Sequence, residues 1–135
     1  MKIFVDTSAF IALVDKTDMN HQAAKQCYSD IIQSRNMLVS SNFVICETLN
    51  YLRTRISYKV AIDFRESTYK SNILTITPIS SEIEDTAYKI FKKYRDKDFS
   101  FTDCTSFALM EREKIKKVFS FDHHFMQYGF FQMIP

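Results

Sequence analysis

Four acidic residues stand in stretches where a soluble chain seldom places charge. Asp6 closes the apolar run Ile3-Phe4-Val5, and Glu47 interrupts Val44-Ile45-Cys46 before Leu49. Asp103 lies between Phe101-Thr102 and Cys104, and Asp122 ends Val118-Phe119-Ser120-Phe121. Generic surface acids such as Glu82, Glu84 and Asp85 have polar neighbours instead. Charges next to buried segments are uncommon unless paired. No lysine or arginine follows Asp6 or Asp122 within four residues. Two such carboxylates brought to about 4 Å repel by roughly 4 kcal/mol at an effective dielectric of about 20. A divalent cation removes that cost. Oxygen donors without a histidine or cysteine companion suit Mg²⁺ or Mn²⁺ rather than zinc.

Each acid also has a local explanation. Asp6 and Asp122 can cap helices, accepting backbone N–H bonds from the following turn. Asp103 can occupy the third helical position of a Ser100-x-x-Asp cap, where the helix dipole favours it. Glu47 can be a solvated helical residue. The collective pattern favours a shared site, because all four fall at strand ends or in early helical turns.

The elements that must position them follow from periodicity. Residues 2–5 read as a strand, 8–15 and 20–35 as helices, and 37–40 as a second strand. Asn42 can cap a helix to about residue 56, with Ile45, Leu49, Leu52 and Ile56 on one face. A helix over 58–71 precedes a third strand, 73–77, stopped by Pro78. Ser81 and Glu84 match a capping box for a helix whose stripe is Ile83, Ala87, Ile90, Phe91 and Tyr94. A helix over 102–114, a strand over 117–121, a helical turn over 123–128 and a strand over 130–134 complete the chain. Strands alternating with helices, apolar on both faces, give an α/β fold with a mainly parallel, helix-covered sheet. Ligands of such sheets sit beyond the carboxyl ends of the strands.

Bulk properties agree with one domain spanning residues 1–135. No apolar run is long enough to span a bilayer. Only three apolar residues separate Lys2 from Asp6, so no secretory signal is legible and the cytosol is the expected location. Cys27, Cys46 and Cys104 lack the spacing of a disulfide framework or zinc finger. The single glycine, Gly129, rules out the glycine-rich phosphate loops of nucleotide binders.

The residues Phe4-Val5-Asp6-Thr7-Ser8-Ala9-Phe10, Glu47, Phe101-Thr102-Asp103 and Ser120-Phe121-Asp122 occur in the order and spacing of a known family. Over essentially its full length the chain resembles PIN-domain ribonucleases, most closely the VapC-like toxins of toxin–antitoxin pairs. The resemblance implies a PIN-like three-layer α/β/α sandwich around a twisted sheet of about five strands. It implies a Mg²⁺- or Mn²⁺-dependent endoribonuclease with Asp6, Glu47, Asp103 and Asp122 as its acidic quartet. Asp6 and Asp103 would be direct metal ligands, and Glu47 and Asp122 direct or water-mediated ones. Thr7, Ser8 and Ser120 would support the site. RNA is the implied substrate, with a small antitoxin and a homodimer as implied partners and no membrane. Ser120 stands for the commoner Thr, and Cys104 for a commoner small residue such as Ala.

Setting the four acids aside leaves 12 acidic residues (16 less 4) against 18 basic ones. The surplus is available for phosphates, which dominate nucleic-acid affinity. Candidate contacts are Arg53 and Arg55, then Lys92, Lys93, Arg95 and Lys97. His123 and His124 read as structural or surface residues, since adjacent helical side chains point about 100° apart, although His124 could reach substrate near the mouth. Asp96 and Asp98 fit turn chemistry, with a peripheral ligand role open.

A phosphoacceptor receiver would need an acceptor aspartate where Pro78 and Ser80 stand. A haloacid-dehalogenase-type site would need an acid at Ser8. The open alternatives are a PIN nuclease of RNA processing without an antitoxin, and a non-catalytic RNA-binding PIN-like module.

Overall fold

In the computed structural model, which describes residues 1–135, twelve elements follow one another. They are β1 (Lys2–Val5), α1 (Thr7–Val14), α2 (His21–Gln33), β2 (Met37–Ser41), α3 (Asn42–Arg55) and α4 (Tyr58–Lys70). Then come β3 (Leu74–Thr77), α5 (Ser81–Lys93), α6 (Phe101–Arg112), β4 (Lys117–Phe119), α7 (His124–Tyr128) and β5 (Gln132–Ile134). The strands form one sheet in the order β3-β2-β1-β4-β5, and every pairing is parallel.

This order explains where a site can form. The chain moves outward from β1 through β2 to β3, crosses back, and continues on the other side through β4 to β5. Right-handed crossovers then put α1–α4 on one face and α5–α7 on the other. The switch in direction lies between β1 and β4, the place where open α/β sheets leave a crevice at their carboxyl ends.

The inner strands β1, β2 and β4 are buried along almost their whole length. The edge strands depart from the expectation of two apolar faces, since β3 and β5 are only half covered. One side of the core is an aromatic stack: Phe107, fully buried, lies 4.3 Å from the Tyr128 ring at 10°. Phe99 and Phe125 meet Phe107 edge-on at 5.0 and 5.1 Å. Phe107→Ala removes a fully buried ring from this stack, and is expected to cost about 3–5 kcal/mol in denaturant unfolding.

Several expected boundaries shift for identifiable reasons. Ser41 joins β2 and caps α3 in place of Asn42, accepting from Val44 N at 3.1 Å. Ser80, not Ser81, caps α5 through Ile83 N, so the expected Ser81–Glu84 box does not form. Helix α2 stops before Arg35 and α6 before Lys114, because both residues adopt left-handed backbone, at φ 59° and 58°. Strand β4 ends at Phe119: after Ser120, whose N–H still donates to Ile134 O, the N–H groups of Phe121 and Asp122 turn to serine hydroxyls. Strand β5 begins at Gln132, leaving the Phe130 ring exposed. On the α3 face, Ile45 and Leu52 are buried but Ile56 is 38% exposed at the helix end.

Candidate active site

Asp6 follows β1 directly and is 2% exposed. It caps α1 as its local reading allows, with Oδ2 accepting from Ser8 N at 3.4 Å. The same oxygen accepts from Ser8 Oγ and Ser120 Oγ, both at 3.1 Å. The two hydroxyls lie 3.1 Å apart. They also accept Phe121 N (2.9 Å) and Asp122 N (3.0 Å) respectively. A small hydroxyl network therefore ties the end of β1 to the loop after β4. Of the two neighbours expected to support the site, Ser8 bonds Asp6 through its hydroxyl. Thr7 acts on Asp6 through its backbone, and its Oγ1 is buried without a hydrogen bond.

Asp103 is 5% exposed and sits in a complete capping box. Its N–H donates to Ser100 Oγ, and its Oδ2 accepts from Ser100 N, both at 3.0 Å. Capping and site geometry thus coexist: the cap fixes the rotamer that aims the carboxylate. Asp122 lies three residues beyond β4, further than the sequence reading had it. Its Oδ1 accepts from His124 N at 2.9 Å, one position off a true cap. Glu47 is half-buried on α3, and its charge is felt at Asp103. Its carboxylate makes no hydrogen bond within the chain.

His124 is the residue that sequence reasoning undervalued. Its Nδ1 lies 2.8 Å from Asp122 Oδ1 and 3.2 Å from Asp103 Oδ2, while Nε2 lies 2.8 Å from Asp98 Oδ1. Burial pulls its pKa down, but Asp98, Asp122 and Asp103 outweigh that and hold it above the ordinary value. Its neighbour His123 is turned the same way, with ring centroids 4.4 Å apart, contrary to the divergence expected of adjacent helical residues. The reason is that His123 precedes α7 rather than belonging to it. A histidine two residues after a site aspartate was the available signal. What the sequence concealed was the approach of Asp98.

No lysine or arginine comes within 4.0 Å of Asp6, Glu47, Asp103 or Asp122. Burial, then the charges of Asp103 and Asp122, push the Asp6 carboxyl up to about 7. Burial likewise lifts Asp103 to about 6, against the Ser100 hydrogen bond. Oxygen donors this short of positive charge fit a divalent cation. Ligand atoms of Asp103, Asp122 and His124 lie within 4.8 Å of one another, and the charges of both aspartates reach Asp6. Beside the carboxylates singled out from the sequence, His124 adds a nitrogen atom that the all-oxygen expectation did not include.

The expected RNA contacts lie outside this cluster. Arg53 lies over the Tyr58 ring at 4.8 Å, Arg55 over Tyr51 at 5.7 Å and Lys93 over Tyr94 at 5.5 Å. Lys97 is 3.5 Å from Asp96. All four are exposed.

Residues 3–130 match the PIN domain, and the chain belongs to that family. Within it the chain is VapC-like. It is 29% identical over 133 residues to the 23S rRNA-specific endonuclease VapC20 of Mycobacterium tuberculosis, covering 98% of both chains. The crystal structure of VapC20, described as a Sarcin-Ricin loop cleaving toxin, matches with a TM-score of 0.90 over 98% of this chain and 99% of that one. A VapC ribonuclease of Archaeoglobus fulgidus is 28% identical over 128 residues, covering 93% of this chain and 80% of its own. VapBC2 of Rickettsia felis, at 10% identity and a TM-score of 0.74 over 98% of this chain and 97% of that one, shares the fold. No helix of the chain is long and apolar enough to cross a membrane.

Proposed function

We propose that this protein is a divalent-metal-dependent endoribonuclease that hydrolyses RNA phosphodiester bonds, and that it serves as the toxin of a toxin–antitoxin pair. The observation that carries the reading is that the charges of Asp103 and Asp122 act on the buried Asp6, and those of Asp122 and Glu47 on Asp103, without a lysine or arginine partner. RNA as substrate is supported by the VapC20 and VapC relatives, an rRNA-specific endonuclease and a ribonuclease. An antitoxin partner fits the VapBC2 assembly that shares the fold. A homodimer and a cytoplasmic location complete the reading.

The residues divide the work. Asp6 and Asp103 are the direct Mg²⁺ or Mn²⁺ ligands, each held by hydroxyl or backbone donors that fix its orientation. Asp122 and Glu47 complete the shell directly or through water. Asp98 and His124 brace Asp122 from outside. The bound ion supplies neutralisation of phosphate charge and a water of lowered pKa. With the carboxylates engaged as ligands, His124 is the nearby group able to orient or exchange a proton. Arg53, Arg55, Lys93 and Lys97 supply peripheral phosphate attraction.

The test is cleavage of a structured ribosomal RNA fragment by purified protein. Cutting is expected with Mg²⁺ or Mn²⁺, absent in EDTA and absent in Asp6→Ala. Equal cleavage in EDTA overturns the mechanism. Expression of wild type is expected to arrest growth where Asp6→Ala does not.

A further inference from the structure

Beside the acid cluster opens a cleft of about 420 Å³, lined by Asn42, Phe43, Cys46, Glu47 and Asn50 of α3 and by Thr102 of α6. The α3 residues recur three and four positions apart, so they form one helical face. The lining carries no lysine or arginine. It offers instead one half-buried ring, two amides and a carboxylate. Phe43 is braced from behind by Phe101, whose centroid lies 6.3 Å away, and Phe101 is met edge-on by Phe91 at 5.9 Å. Asn42 Oδ1 accepts from Ile79 N at 2.9 Å, which leaves its NH₂ group as a free donor. Asn50 directs its NH₂ towards Cys46 Sγ at 3.9 Å, leaving its carbonyl oxygen free.

The chemistry of this wall selects its occupant. A phosphate would meet Glu47 and no cation. An aliphatic side chain would leave the amides and the carboxylate unpaired. A nucleobase has a π-face for Phe43 and an edge of donors and acceptors for the amides. Unpaired loop bases are the ones free to splay out and be read in this way. We infer that the cleft is the subsite for the base of a nucleotide flanking the cleaved phosphodiester, taken from single-stranded loop RNA. Glu47, with two acceptor oxygens, faces both the subsite and the acids. It favours bases that carry an exocyclic amino group over uracil. The inference rests on the endoribonuclease reading and names the part of the substrate that the same site grips.

Cys46 provides a direct reporter, since it is exposed while Cys27 and Cys104 are buried. The experiment uses Asp103→Asn, which binds without cutting, in Mg²⁺. The probe is an RNA hairpin with an unpaired adenine-rich loop, compared with the same hairpin carrying an abasic loop. At saturation the intact loop is expected to slow alkylation of Cys46 about tenfold, and the abasic loop to leave it unchanged. Phe43→Ala is expected to weaken hairpin binding about tenfold or more, the loss of one stacked base. Asn50→Ala, at an exposed position, weakens it without disturbing the fold. A bound hairpin that leaves Cys46 reacting at its free rate overturns the subsite, as does equal protection by the abasic loop. Failure of either hairpin to bind at all overturns the endoribonuclease reading, and the subsite with it.

Discussion

Asp6→Asn is expected to abolish RNA cleavage and, in the same protein, to raise the melting temperature measured in EDTA at about pH 8. The substitution keeps the shape and the acceptor that Ser8 and Ser120 address. What it removes is a buried negative charge facing Asp103 and Asp122. A carboxyl held near 7 rather than near 4 costs the metal-free fold on the order of 4 kcal/mol once ionised. For a chain of 135 residues each kcal/mol moves the midpoint by about 3 °C, so a rise of about 10 °C is expected. Cleavage should fall by at least about a thousandfold, the loss of transition-state charge stabilisation on the scale of one key electrostatic contact. A fall in the EDTA melting temperature would mean that Asp6 serves the fold as a cap and that its charge is not a cost.

The second large effect is a reversed pH dependence. Asp6 and Asp103 have folded-state pKa values raised to about 7 and about 6. The folded protein therefore binds more protons than the unfolded chain between about pH 4 and pH 7, and stability falls as pH rises through that window. His124 acts in the same direction: its raised pKa gives stability that is lost as pH rises through the folded value. Asp98 opposes them, since its lowered pKa gives stability present above the ordinary carboxylate range and lost only in stronger acid. Urea unfolding in EDTA is expected to show a loss of several kcal/mol between about pH 5 and about pH 8. With saturating Mg²⁺ or Mn²⁺ the loss should vanish, because under the proposed function a cation held by the ionised acids of the folded state alone offsets it. An identical slope with and without metal would show that the acids do not hold it.

Both effects depend on residues that the sequence made visible to different degrees. The acids were legible because each breaks an apolar run, and a charge in such a place demands compensation. Their convergence was legible only through the rule for carboxyl ends of parallel strands, together with the family resemblance. The helix caps were misplaced by one residue at Ser41 and Ser80, because runs of neighbouring serines and asparagines offer several caps of nearly equal quality. Arg35 and Lys114 in left-handed backbone carry no signal of their own, since neither is glycine or asparagine. His124 was undervalued for a deeper reason. Its importance depends on Asp98, 26 residues away across a loop, and no local periodicity reports such a contact.

The bond between Ser120 and Asp6 joins residues 114 positions apart. During synthesis, β1 and its aspartate emerge long before the strand that walls the other side of the crevice, Lys117–Phe119. A copy interrupted before that point has acids without a site. Catalytic competence is therefore a property the growing chain can acquire only once Ser120 has joined Asp6, so a ribosome is not exposed to a working ribonuclease of this design before that point.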